Sequence, residues 1–415
     1  MNNSTDFKSH FFRAFPALSH KPFRWFWGGQ IISVIGTWTQ NIGQAWLVLQ
    51  LTNSPFLLGL VSAVQFLPMM LLSLHAGAWI DRVSKRRIII MTQSTLMILA
   101  FTLALLVGTG LIQYWMLLIL ALILGIANTA DVPARQSFVI ELASREDLTN
   151  AIALNSAVFN AGRIVGPAIA GIIMGLWGPM WCFLINGISF IGVISILMFL
   201  PSIPQDNKTA PKKGRVWPEI KEGLSYIRKT STILLCISVM GFISAIAMNM
   251  SVLVPTFAKM ELNQQALGYG FLMSAMGVGA LVGALTVAVR SGTKTQWRTI
   301  FTGAVGLAVF SILLGLQTDY AAAAIMLVFM GWSMITFSAS VNSMIQLTVA
   351  DEFRGRVMSV YSLVFGGITP IGSIYAGSLA HILGAGITFV ISGILSLCFL
   401  AFIGYILHRH KGALR

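Results

Sequence analysis

The chain has 415 residues, of which 56% are hydrophobic and only 10% charged, with a formal net charge of +14. A soluble domain carries roughly 25% charged residues. No water-soluble globule could bury so much apolar surface, so a soluble fold is excluded.

Residues 1–22 form a short polar and aromatic tail without the charged, apolar and cleavage regions of a signal peptide. Apolar runs and their breaks then predict helices at 23–51, 55–80, 87–110, 114–134, 148–176, 179–200, 231–258, 264–290, 296–317, 320–346, 355–382 and 386–408. No charged residue occurs between Arg87 and Asp131, or between Arg163 and Asp206. Each stretch is just over 40 residues, enough for a helical hairpin at about 20 residues per span. A membrane β-barrel would show short alternating segments instead. Turn chemistry falls between the runs, at Thr52-Asn53-Ser54-Pro55, Gly178-Pro179 and Gly384-Ala385-Gly386. Cys182, Cys236 and Cys398 all lie in apolar stretches, so neither a disulfide framework nor a zinc site is indicated.

Of the 27 Lys and Arg residues, 25 fall in the N-tail, the even-to-odd connections and the C-tail. Lys259 lies on the other side, and Arg163 lies inside a span. This asymmetry predicts twelve spans with both termini in the cytoplasm of a bacterial inner membrane. It also explains the positive charge without nucleic acid as a partner. The one long connection, 201–230, starts Pro-rich and basic. It then places Ile220, Leu224 and Ile227 on one helical face, as a helix on the membrane surface would, or as one amphipathic turn of a solvated linker. The expected fold is therefore an all-α membrane protein of two six-helix bundles, residues 23–200 and 231–408, with a cytoplasmic tail at 409–415. An internal repeat supports the division. At an offset of 206, Gly166, Gly171, Gly178 and Gly187 align with Gly372, Gly377, Gly384 and Gly393; separately, near the start of each half, the segment ending at Gly59 matches the one ending at Gly270. Related six-helix halves are the layout of many secondary transporters, with the substrate between them near mid-membrane.

Several motifs sharpen this. After the second span comes Gly77-Ala-Trp-Ile-Asp81-Arg82-Val-Ser84-Lys85-Arg86-Arg87. It resembles the major facilitator superfamily signature GxxxD(R/K)xGR(R/K), with Ser84 in place of a glycine. The resemblance implies a cytoplasmic gate between the halves, with Asp81 near Gly355 at the start of the eleventh span. Basic residues that merely set topology would need neither Gly77 nor Asp81. The fifth span carries Gly162-Arg163-Ile-Val-Gly166-Pro167-Ala-Ile-Ala170-Gly171, similar to the antiporter motif of exporters. Close helix packing by small residues is the alternative. A longer run, including Phe66-Leu67-Pro68, Pro133-Ala134-Arg135, Asn150-Ala151 and Leu154-Asn155-Ser156, resembles the branch holding enterobactin-type siderophore exporters and macrolide-efflux-type drug exporters. It covers about half the chain.

The first span places Gln30, Ser33, Thr37, Gln40, Asn41 and Gln44 within about 100° of one another, at 100° per residue. Such a stripe must meet water or polar partners, because an unsatisfied polar group in lipid costs several kcal/mol. The family resemblance, in which spans 1, 4, 7 and 10 line the cavity, favours a substrate cavity. Ser333, Thr336, Ser340 and Ser343 form a similar stripe on the tenth span, equally compatible with helix packing. Arg163 lies about 22 Å into the fifth span, where an unpartnered arginine costs at least about 2.5–3.5 kcal/mol. Asn155, Ser156 and Asn160 share its face. It either meets an anionic substrate group or serves structure and gating, the reading we favour, and no carboxylate is expected at its depth. Asp131 and Arg135 are expected to join the cytoplasmic charge network through Lys85 or Arg86. Trp38, Phe242 and Trp332 would suit an adaptable apolar site.

Together these features predict a monomeric exporter, without cofactor, that moves a small amphipathic molecule, siderophore or drug, by alternating access among membrane lipids. Lipid transport by the same fold is the alternative. No phosphate-binding loop is present, so a proton gradient is the expected drive, carried by Asp131, Glu141, His75 or the substrate itself. An enzyme is not expected, since no acid pair, nucleophile with base or metal cluster occurs at one depth.

Overall fold

The protein is described from a computed structural model covering residues 15–80, 83–144, 146–200, 216–290 and 297–409, with the side chains of 74–80, 216–220, 290 and 406–409 left out. Its elements are almost all helical. They are α1 (Lys21–Thr52), α2 (Pro55–Ile80), α3 (Lys85–Gly108), α4 (Tyr114–Leu142), α5 (Leu148–Trp177), α6 (Met180–Phe199), α7 (Val216–Lys229), α8 (Ser231–Ala247) and α9 (Met250–Met260). They continue as α10 (Ala266–Arg290), α11 (Trp297–Gly315), α12 (Tyr320–Thr348), α13 (Arg354–Gly367), α14 (Thr369–Leu383) and α15 (Ala385–Arg409). Among the described residues, eleven helical stretches are long and apolar enough to cross a membrane, with α8–α9 and α13–α14 each counting as one. The chain is thus a multi-pass membrane protein. Helix α1 is as long as the others, and its polar stripe keeps it out of that set.

The predicted turns close as expected. Asn53 adopts φ 48°, Gly178 φ 88° and Gly384 φ 87°, ending α1, α5 and α14. The predicted end of the fourth span at 134 is corrected: α4 runs eight residues further, to Leu142. Pro133 is tolerated inside the helix because Phe138, Val139 and Leu142 are buried in one cluster with Phe26, Ile88 and Ile89. Two spans expected to be continuous are broken. Between α8 and α9, Asn249 turns its amide back to Ala245 O at 2.7 Å, satisfying a carbonyl that the break releases. Gly372 of α14 abuts that break, where an added Cβ would stand 2.8 Å from Ala245 O. The segment 217–227 is helical, within α7. Its apolar face turns partly onto protein, with Ile227 buried, Tyr226 stacked on Phe353 at 4.4 Å, and Glu222 paired with Arg356 at 2.5 Å.

Helices of residues 21–199 pack chiefly on one another, as do those of residues 231–409. The two sets meet along two seams, α5 against α10 and α2 against α13 and α14. We call the end that carries α7 and the start of α1 the linker end. There a short 3-10 turn, Pro16–Ser19, anchors α1: Ala17 N donates to Asn150 Oδ1 at 3.2 Å, and His20 meets Asp147 at 2.8 Å. The bond from His20 holds the Asp147 carboxyl below its usual range, helped by Ser144. A depressed carboxylate contributes its link above the ordinary value of about 3.9 and loses it as pH falls through the lower folded value. Relative to a free cysteine under the same conditions, labelling of a cysteine placed at the buried Ala17 is therefore expected to stay slow from neutral pH to about 4 and to rise as pH falls further. Asp147→Asn should give the fast rate at every pH.

Candidate substrate cavity and charge sites

A cavity of about 760 Å³ lies between the two helix sets. At mid-height it is lined by Thr37, Trp38, Gln40, Asn41, Gln65 and Asn186. Towards the linker end it is lined by Ser73, Arg135, Gln136, Gly355, Ser359 and Ser362. The opposite end is packed shut. Gly59 lies against Ser373 and Gly377, Gly171 against Gly270, and Trp46 stacks on Tyr269 at 5.7 Å. Lys259 donates to Leu49 O at 2.5 Å, placing a cation on the C-terminal carbonyls of α1, where the helix dipole favours it.

Half of the α1 stripe meets this cavity: Thr37, Gln40 and Asn41. The other half is spent on packing. Gln30 donates to Asn155 Oδ1 at 2.8 Å, Gln44 donates to Gln65 Oε1 at 3.1 Å, and Ser33 is fully buried. Even Gln40 has a protein partner, accepting from Asn186 Nδ2 at 2.7 Å. Gln65 and Asn186 were not among the predicted residues, although each is an isolated amide in an apolar run, the signal that could have found them. The α12 stripe lies outside the cavity lining. Ser333, Thr336 and Ser340 are buried, with Ser333 turned to Gly306 of α11. Asn160 bonds its own helix, donating to Ser156 O at 2.9 Å. Of the aromatics, Trp38 lines the cavity, whereas Phe242 stacks on Phe399 and Trp332 donates to Thr286.

Arg163 is not among the lining residues either. Its guanidinium sits 5.6 Å over the Trp38 ring, a cation–π contact that braces a cavity-wall side chain from behind. The small residues around it serve two partners. Gly162 and Gly166 admit Trp38 of α1, while Gly171 admits the backbone of α10. Pro167 offers its carbonyl to the same crossing, 2.6 Å from an added Cβ on Gly270.

The charge network differs from the expected one. Lys85 pairs with Glu141 at 3.2 Å, and Arg86 donates to Met198 O at 2.9 Å. Neither reaches Asp131. That carboxylate is fully buried, accepts from Thr92 Oγ1 at 2.6 Å and Gln93 Nε2 at 3.0 Å, and pairs with Arg135 at 2.5 Å. The extension of α4 explains the difference. Asp131 stands 11 residues, about 16 Å, from the helix end, beyond the reach of residues at the start of α3. Gly355 lies on the cavity rim. Asp81 and Arg82, and the surroundings of Gly77 and His75, fall outside what is described.

Comparison with known proteins gives a consistent family. Residues 13–412 match a family described as transmembrane secretion effector. The staphyloferrin A transporter of Staphylococcus aureus is 24% identical, over 93% of this chain and 96% of its own. The multidrug efflux pump Tap of Mycolicibacterium fortuitum is 28% identical, over 83% and 86%. Macrolide efflux protein A of Streptococcus pyogenes is 22% identical, over 90% and 92%. Two solved structures share the fold. The nucleoside transporter NupG has 12% identity and TM-score 0.76, over 93% of this chain and 99% of its own. A bacterial homolog of the human lysosomal transporter Spinster, inward-facing and occupied, has 14% identity and TM-score 0.74, over 95% and 97%.

Proposed function

Since the chain belongs to the transmembrane secretion effector family of the major facilitator superfamily, we propose that this transporter is a proton-driven exporter of a small amphipathic molecule. Its family and relatives are transporters rather than enzymes. In our reading α1 is the twelfth span, the two helix sets are the two six-helix bundles, and 201–230 is the cytoplasmic linker between them. Both termini then face the cytoplasm of a bacterial inner membrane, and the protein works as a monomer among membrane lipids.

One observation carries the alternating-access reading, while the direction follows the relatives, which are efflux transporters. The cavity reaches the linker end while the opposite end is closed by glycine crossings, Trp46–Tyr269 and Lys259. Under this orientation that is the inward-facing state, ready to take substrate from the cytoplasm. Alternating access then requires the far-end contacts to part as the linker end closes, with Gly77, Asp81, Arg82, Lys85 and Arg86 as the cytoplasmic gate. The cavity wall combines amides and hydroxyls with Trp38, Phe66, Met69, Met358 and Phe365, which suits a bulky molecule with a few polar groups. The names of the relatives point the same way, towards siderophores and drugs. They lend the lipid alternative no support.

The test is collapse of a proton gradient in inverted membrane vesicles holding the protein, on adding a catecholate siderophore or, separately, the lipophilic cation ethidium. Collapse with ethidium alone supports drug efflux and keeps Arg163 as the brace for Trp38. Collapse with the siderophore alone supports an anion exporter and returns Arg163 to the list of substrate contacts. Silence with a panel of both kinds would overturn proton-coupled export.

A further inference from the structure

We propose that Asp131 is the site that binds the driving proton, with Arg135 carrying the change of charge to the cavity wall. This rests on the proton-coupled reading above. Among the described residues, Asp131 is the one acidic side chain in the interior of a membrane-length helix. The others in such helices or beside them, such as Glu141, Glu261 and Asp319, stand at helix ends.

A buried carboxylate so far from the helix end is costly unless it is fully partnered. Its partners fit both of its charge states. Ionised, Asp131 accepts from the Thr92 hydroxyl and the Gln93 amide on one oxygen and meets Arg135 on the other. Once protonated, it needs an acceptor. Thr92 supplies one by turning its hydrogen to Ile88 O or Ile89 O, both 3.1 Å away. Gln93 supplies another by a half-turn of its amide, because its Oε1 is buried without a partner. Thr92 and Gln93, adjacent on α3, can thus serve both the carboxylate and the carboxylic acid from the same position. Among the described residues, Gln93 Oε1 and Arg135 Nη1 of this cluster are buried without a hydrogen bond, and Asp131 Oδ2 has the Arg135 ion pair alone. No further charged group among the described residues bonds to Asp131; Lys85 and Glu141 pair with each other nearer the linker end.

Arg135 makes the site matter to the substrate. It lines the cavity, and its side chain is 12% exposed there. When a hydronium ion in the cavity gives its proton to Asp131, an O–H bond forms on the carboxylate, a water is left behind, and the guanidinium loses its counter-charge. It must then be hydrated on the cavity wall. An apolar or cationic molecule cannot seat against that hydrated charge, so proton and substrate exclude each other, which is the condition for antiport.

The test uses reconstituted full-length protein and ethidium, with two assays: accumulation driven by a proton gradient, and exchange at equal pH on both sides. Asp131→Asn fixes the neutral form, so its ethidium exchange should fall to the level that the wild type reaches in acid, and it should lose at least about tenfold of driven accumulation. Its exchange should no longer depend on pH. Driven accumulation by Asp131→Asn at the wild-type level would overturn the assignment. Wild-type transport that ignores the gradient would instead overturn the coupling reading, and the assignment with it. If Asp131→Asn does not fold, Gln93→Met carries the test, since it keeps the acid and removes a partner of both its forms. The midpoint of its pH-dependent exchange should move to higher pH, because the bond lost to the ionised carboxylate is charge-assisted and the one lost to the neutral acid is not, and an unmoved midpoint would overturn the proposal.

Discussion

Gly59→Val is expected to abolish export while leaving a folded protein in the membrane. The added side chain would enter the crossing of α2 and α14, where Cβ meets the Ser373 carbonyl and stands 3.0 Å from the Gly377 Cα. Both obstacles are backbone, so no rotamer change relieves the clash. Overpacking of this kind costs about 1–3 kcal/mol. The cost falls on one state only, because under the proposed mechanism this crossing parts when the carrier opens outward. A penalty of that size moves the balance between the two states by roughly tenfold to a hundredfold. The reporter is a cysteine at Ser362, on the cavity wall, probed from the cytoplasmic side. In the Gly59→Val protein its labelling should fall at least about tenfold and export should fall with it, at unchanged expression. Wild-type labelling and export would show that the far-end seam does not govern access.

The same crossing occurs twice, and its repetition explains why the internal repeat was visible in the sequence. Gly59 lies on Gly377, with Pro55 O and Ser373 O, each four residues earlier, facing the opposite glycine. Gly270 lies on Gly171 in the same way, with Ala266 O and Pro167 O in the matching places. The repeat aligned Gly59 with Gly270 and Gly171 with Gly377, so each glycine meets the counterpart of its own equivalent. Small residues survive at such positions because two backbones touch there, and a touching backbone tolerates no side chain. Gly270→Val should therefore reproduce the Gly59→Val phenotype.

Other features were less legible, for physical reasons. A polar stripe on α1 announces that polar groups need partners, without saying whether the partner is water or another helix. Thr37, Gln40 and Asn41 found the cavity, and Gln30, Ser33 and Gln44 found protein. The α12 stripe failed as a cavity marker because Ser and Thr are small enough to pack anywhere between helices. Asp131 was misplaced because Pro133 and Arg135 looked like a helix end. The apolar residues beyond them, Phe138, Val139 and Leu142, kept the helix going into the cluster below α1 and α3. The brace of Arg163 on Trp38 joins residues 125 positions apart, a pairing that periodicity within one helix cannot reveal.

A glycine inside one helix set should behave in the opposite way, and Gly279→Val is expected to cost the fold itself. Gly279 of α10 faces the Val328 backbone of α12, with Val328 Cα 2.9 Å from an added Cβ and the Val328 carbonyl nearer still. Gly331 of α12 makes the reciprocal approach to the backbone of Met276 and Ala280. Among the described residues, these two helices share the most extensive contact. The proposed mechanism carries α10 and α12 together as one body, so the strain is present in every state and cannot be escaped by switching. The expected loss is about 3 kcal/mol or more, with both helices forced apart along their length. It should appear as protein that is degraded or aggregated on extraction, and as a melting temperature lowered by several degrees in any fraction that survives. Val at position 279 would abolish export through lost protein, and Val at position 59 through lost switching. Export assays alone cannot separate the two, whereas fluorescence-detected size exclusion alongside Ser362→Cys labelling can. A stable Gly279→Val protein with altered labelling would mean that α10 moves against α12 during transport, and that the bodies of the mechanism are smaller than six helices each.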